Sequence, residues 1–67
     1  MDSTATLGDR LRELREARGL RQEDLEERSG VDSQTISNIE VGRQMPRTQT
    51  LMKLAKGLGV RPGDLLG

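Results

Sequence analysis

The chain has no cysteine and no histidine among its 67 residues, which removes disulfides and the usual zinc ligands as sources of stability. It also has no Phe, Tyr or Trp, so a core must be assembled from Leu, Ile and Val, with ten leucines supplying most of it. Without His, Cys or Tyr the common acid–base and nucleophile assemblies cannot be built, and no glycine-rich phosphate loop compensates. An enzyme is therefore not expected, nor any cofactor or metal. The acidic group Glu23, Asp24, Glu26 and Glu27 lacks the alternating Asx residues and glycine of a calcium loop. No apolar run approaches the roughly 18 residues that span a membrane, and the N-terminus has no basic-then-apolar signal pattern. The expectation is a soluble, cytoplasmic chain forming one small domain, since so short a chain buries only about 60% of its unfolded surface.

Net charge is zero, but it is unevenly spread. Residues 1–30 carry eight acids and six bases, and residues 31–67 carry three acids and five bases. Between Val41 and Gly63 every charge is positive: Arg43, Arg47, Lys53, Lys56 and Arg61. Affinity for nucleic acid follows local neutralisation of phosphate rather than overall charge.

The punctuation of the chain is helical throughout, with no strand pattern and no internal repeat. Residues 1–5 read as a disordered tail without Lys or Arg, which argues against a groove-binding arm. Residues 6–67 read as the folded domain. Thr6 and Asp9 make a Thr-x-x-Asp variant of the capping box, opening a first helix whose stripe is Leu7, Leu11 and Leu14. Gly19 is placed to end it in a left-handed cap, with Leu20 packing back. A second helix is predicted over about 22–29, with Gly30 making the turn. Asp32 is a good N-cap for a third helix over about 33–41, which Gly42 ends. Pro46 is expected to open a fourth helix, where Leu51, Leu54, Ala55 and Leu58 fall at i, i+3, i+4 and i+7. After Gly59, Pro62 begins a short fifth turn whose Leu65 and Leu66 are expected to cap the core. The expected class is all-α: five short helices in one compact domain.

The third helix carries two different faces. With Ser33 at the origin and about 100° per residue, Ser37 falls near 40°, Gln34 near 100° and Asn38 near 140°, while Ile39 and Ile36 lie on the other side at about 240° and 300°. A merely solvated face would carry Lys and Glu. This one presents only short, uncharged hydrogen-bonding groups, directly after a helix and a Gly-Val-Asp turn. Gln and Asn pair bidentately with adenine and Ser donates or accepts, so the arc suits reading base edges of DNA. No Arg or Lys lies between Asp32 and Gly42, which removes the common arginine–guanine pair from the helix centre and favours adenine. Glu40 borders the buried arc and needs a partner, for which Arg15 on the first helix is the candidate.

These residues resemble the lambda-repressor-like helix-turn-helix family, also called the xenobiotic-response-element type. The likeness covers about residues 7–66 and rests on Leu-Arg-Glu-Leu-Arg-Glu-Ala-Arg-Gly-Leu at 11–20, Gln22 to Leu25, Gly30-Val31, Thr35-Ile36-Ser37, Ile39-Glu40 with Gly42, and Leu54-Ala55-Lys56 with Leu58-Gly59-Val60. The resemblance implies five helices with the third in the major groove of double-stranded DNA. It implies Ser33, Gln34, Ser37 and Asn38 facing bases, with Gln34 and then Asn38 leading. Gln22, Arg43 and the start of the fourth helix would lie on the DNA backbone, and Arg15 would pair with Glu40; Thr35, Arg21 and Arg47 are expected to join the backbone contacts. The function implied is a sequence-specific transcriptional regulator, a repressor acting as a homodimer on a palindromic operator and associated with the nucleoid. Alternatives are an antitoxin or protein-binding module of the same fold, or the N-terminal domain of a longer regulator.

The chain departs from the family pattern in two ways. Glu26 and Ser29 stand where small and apolar residues are usual, so the core at the junction of the second and third helices is expected to be thinner. Arg21, Arg47 and Arg61 occupy positions where a Ser N-cap is common. Losing such a cap costs roughly 0.5–2 kcal/mol, and a cation there opposes the helix dipole. For Arg21 and Arg47 added phosphate contact is the expected return; Arg61 has no such account.

Overall fold

A computed structural model describes residues 6–66; the expected tail over 1–5 lies outside them. The described residues form five helices and no strand: α1 (Leu7–Ala17), α2 (Gln22–Ser29), α3 (Ser33–Glu40), α4 (Thr48–Leu58) and α5 (Pro62–Leu66). None is long and apolar enough to cross a membrane.

Each boundary follows from local chemistry. The Thr6 hydroxyl accepts from the Asp9 amide at 3.1 Å while the Asp9 carboxylate accepts from the Thr6 amide at 3.2 Å, closing a full capping box on α1. The Asp32 carboxylate caps α3 by accepting from the Thr35 amide at 2.8 Å. The end of α3 is set by Gly42, whose φ of 83° is the left-handed conformation that side chains resist. There the Gly42 amide donates to the Ile39 carbonyl at 3.1 Å and the Arg43 amide to that of Asn38 at 2.8 Å, the paired bonds of a Schellman stop. The helix is consequently one residue shorter than the sequence implied.

Pro46 does not open α4. The helix starts at Thr48, with Arg47 in the extended N-cap position and the proline one residue before it, shaping the approach rather than the first turn. At α5, Leu65 is buried and Leu66 is 68% exposed. Neighbouring positions on a helix point about 100° apart, so a five-residue turn seats only one of the two leucines.

The core comprises Leu11, Leu25, Val31, Ile36, Ile39, Leu54, Ala55, Leu58 and Leu65, ringed by Leu7, Leu14, Leu20, Leu51 and Val60. Helix α2 packs chiefly on α4, and α1 packs on α3 and α5. A Cβ added at Gly57 of α4 would stand 2.9 Å from the Ser29 Cβ, so the two helices meet closely and position 57 leaves no room for a side chain beside Ser29. Its hydroxyl also donates to the Leu25 carbonyl at 2.7 Å and accepts from the Val31 amide at 3.1 Å, tying the turn to the end of α2. Glu26 reaches across that turn: its carboxylate accepts from the Ser33 amide at 3.3 Å and supplies a second acceptor to the start of α3.

Candidate nucleic-acid interface

Helix α3 leaves Gln34 exposed and Ser33, Ser37 and Asn38 half-buried, while Ile36, Ile39 and Glu40 are buried. The polar arc and the apolar arc therefore fall on opposite sides. Within the polar arc the Gln34 amide nitrogen donates to Asn38 Oδ1 at 3.3 Å. Asn38 Nδ2 in turn donates to Gln44 Oε1 at 3.5 Å, a residue beyond the helix that spacing alone did not single out. These carboxamides keep further donors and acceptors free, since each has two N–H groups and two oxygen lone pairs.

Behind the arc, Glu40 holds α3 to the rest of the domain. Arg15 Nε donates to Glu40 Oε2 at 2.7 Å and its terminal nitrogen to Oε1 at 3.0 Å, a forked pair with Glu40 4% and Arg15 9% exposed. A further Arg15 nitrogen donates to the Leu20 carbonyl at 2.8 Å. Arg12 approaches the same carboxylate at 3.6 Å. Burial alone would raise the Glu40 pKa, but hydrogen bonds from Arg15 and Gln22 and the charges of Arg15 and Arg12 outweigh it and hold the carboxyl below the usual glutamate range. The hydrogen bond to Glu40 correspondingly raises the Arg15 guanidinium above its ordinary value.

Gln22, expected at the DNA backbone, is part of this cluster: its amide nitrogen donates to Glu40 Oε1 at 3.1 Å. One N–H and the carbonyl oxygen remain for another partner. The contact joins the first turn of α2 to the end of α3.

The arginines at helix starts divide into two kinds. Arginine has no acceptor, so none can cap through its side chain, but an aspartate three residues on supplies the reverse bond in two cases. The Arg21 amide donates to Asp24 at 2.8 Å and the Arg61 amide to Asp64 at 2.9 Å. Arg21 also reaches Asp24 with Nε at 3.4 Å. The backbone bond from Arg21, then the side-chain bond, lower the Asp24 pKa. Helix α4 has Thr50 at the equivalent position, and its start carries no side-chain cap. Arg43 and Arg47 are exposed and join no ion pair among the described residues. Asp32, Thr35, Gln44, Arg47, Thr50 and Lys53 border one open hollow between the starts of α3 and α4. Thr35 and Arg47 are thus brought together; Arg21 lies apart, among the acids of α2.

The arrangement of two short helices about a tight turn is matched by known proteins. The family described as Helix-turn-helix matches residues 11–65. The chain belongs to the helix-turn-helix family. Its type is lambda-repressor-like: it superposes on the DNA-binding domain of the P22 C2 repressor with a TM-score of 0.88 and 33% identity, over 98% of this chain and 86% of that one. Against the restriction-modification controller protein C.AhdI from Aeromonas hydrophila the TM-score is 0.87 with 39% identity, over 91% and 92%. In sequence it is 41% identical over 66 residues to an HTH-type transcriptional regulator, y4dJ, of Sinorhizobium fredii, covering 98% of this chain and 86% of that protein. Other relatives are longer, and the chain spans 46% and 24% of two of them. The family and these relatives are DNA-binding transcription regulators rather than enzymes.

Proposed function

We propose that this protein regulates transcription by binding a specific DNA sequence with α3 in the major groove, and that it acts as a repressor. The observation that carries this is the uncharged amide and hydroxyl arc of α3, set beside Arg43 just past that helix and Arg47 at an α4 start without a side-chain cap, both without an ion-pair partner among the described residues. Bases are read by Gln34 and Asn38, with smaller contributions from Ser33 and Ser37. Phosphates are held by Arg43, Arg47 and Thr35, with the free N–H of Gln22 and with Arg21, which first exchanges its contact to Asp24. Positive side chains and unsatisfied helix N–H groups both favour phosphate there. An eight-residue α3 is only about 12 Å long and meets a few base pairs, so a useful site needs two copies. The protein therefore binds as a homodimer to a palindrome whose half-sites lie about 34–36 Å apart.

Electrophoretic retardation with a random-sequence duplex pool over a salt series tests this reading. A specific site is expected to emerge, with affinity falling steeply as salt rises. Arg43→Ala and Arg47→Ala should each weaken all sequences alike and reduce the slope of log affinity against log salt by about 1. Absence of retardation, or full slopes in both variants, would contradict the reading.

A further inference from the structure

On the proposed DNA-binding reading, we propose that Gln44 is a further specificity-determining residue, acting as a positioning residue that sets which way the Asn38 amide faces the bases. A carboxamide recognises adenine bidentately only in one orientation, with its oxygen toward the N6 amino group and its N–H toward N7. Turned over, the same side chain offers the opposite pattern. Asn38 is held at both ends: its oxygen accepts from Gln34 at 3.3 Å and its nitrogen donates to Gln44 at 3.5 Å.

Gln44 is well placed for this role because the backbone brings it there. The left-handed Gly42 folds the chain back, and the Arg43 amide bonds the Asn38 carbonyl at 2.8 Å. The next residue thus starts beside the very side chain it contacts. Both N–H groups of Asn38 are used when one meets Gln44 and the other a base, and its oxygen has one lone pair for Gln34 and one for a base. The ladder therefore leaves one bidentate edge open and fixes its polarity. Reversing Asn38 alone would set nitrogen against nitrogen at Gln34 and oxygen against oxygen at Gln44. Base preferences at the positions read by Gln34 and Asn38 are consequently coupled, in contrast to the near-additivity of well-separated positions.

The test uses the site selected by the parent protein from a random duplex pool, together with every single-base substitution of that site. Gln44→Ala should shrink the discrimination at the base pair read by Asn38 by roughly three- to tenfold, with the salt slope unchanged. Gln44→Glu keeps only acceptors and so still requires Asn38 to donate. Its added charge should weaken every sequence, yet the discrimination ratio should stay at or above the parent value. Discrimination unchanged within twofold in Gln44→Ala, or lost equally in both variants, would overturn the proposal. A uniform loss across all sequences in Gln44→Ala would make Gln44 a phosphate contact and overturn it as well. A parent with no sequence preference would overturn the proposed function itself, and the role of Gln44 with it.

Discussion

On one side of α3, Glu40 is enclosed by Arg15, Arg12 and Gln22; on the other, the half-buried Asn38 is bonded between the exposed Gln34 and Gln44. Both groups are polar and both bridge separate elements of the chain. They differ in charge, burial and completeness. Every buried side-chain nitrogen and oxygen among the described residues has a partner, as expected where a lone charge or amide out of water is costly. The outer amides are bonded to one another but keep capacity for more. The inner cluster ties the helix to α1 and α2, and the outer one is the face proposed to recognise DNA. Substitutions in the first should cost stability, and substitutions in the second should cost discrimination.

The largest expected effect breaks the inner cluster. Glu40→Gln leaves the Arg15 guanidinium buried without its counter-charge, at a cost of about 3–5 kcal/mol. For a domain whose whole stability is on the order of 5 kcal/mol, thermal melting should show a chain close to unfolding at room temperature. A melting point within a degree or two of the parent would show the pair to be solvated. The same cluster gives a signed pH dependence. Because the folded state holds the Glu40 carboxyl below its ordinary range, its stabilisation is complete above that range and is lost as pH falls through the lowered value. Acid titration of stability should therefore flatten in Glu40→Gln.

A second contrast, between helix starts, predicts the opposite sign. Arg47→Ser supplies α4 with the acceptor it lacks and should raise stability by about 0.5–2 kcal/mol, measured by denaturant midpoint, while lowering the salt slope of DNA binding. Arg21→Ser should gain less, because Asp24 already bonds the cap residue and that contact to Arg21 is given up. Equal gains, or a loss at Arg47, would mean that the start of α4 is satisfied some other way. Smaller still is Gln22→Ala, which removes one hydrogen bond from Glu40 and should cost about 1 kcal/mol. A loss of that size in the denaturant midpoint would show that Gln22 supports the helix through Glu40.

Much of this fold is legible in residues that act locally. Thr6 with Asp9, Gly30, Asp32, Gly42 and Gly59 each decide a boundary through bonds a few residues long, so α2 runs over the expected 22–29. The partner of Glu40 is also readable, because a glutamate at the rim of an apolar arc requires a cation. What escapes is contact made across turns. Glu26 to the Ser33 amide and Asn38 to the Gln44 side chain are contacts whose approach depends on the path of the turn between them, and no periodicity marks them. The close approach at Ser29 is hidden because it depends on Gly57, 28 positions away, and the place of Pro46 because a proline before an N-cap and one just inside a helix have the same sequence appearance.

The division of labour on α3 is tested most directly by Gln34→Ala, compared with the parent at the selected site and on an unrelated duplex at one salt concentration. Gln34 is exposed, near the start of the helix, and makes no contact with the inner cluster. The expected result is a loss of about 1–3 kcal/mol at the site, little change on unrelated DNA, and an unaltered melting point. Equal losses on both duplexes would make Gln34 a backbone contact and contradict the assignment of base reading to the outer face.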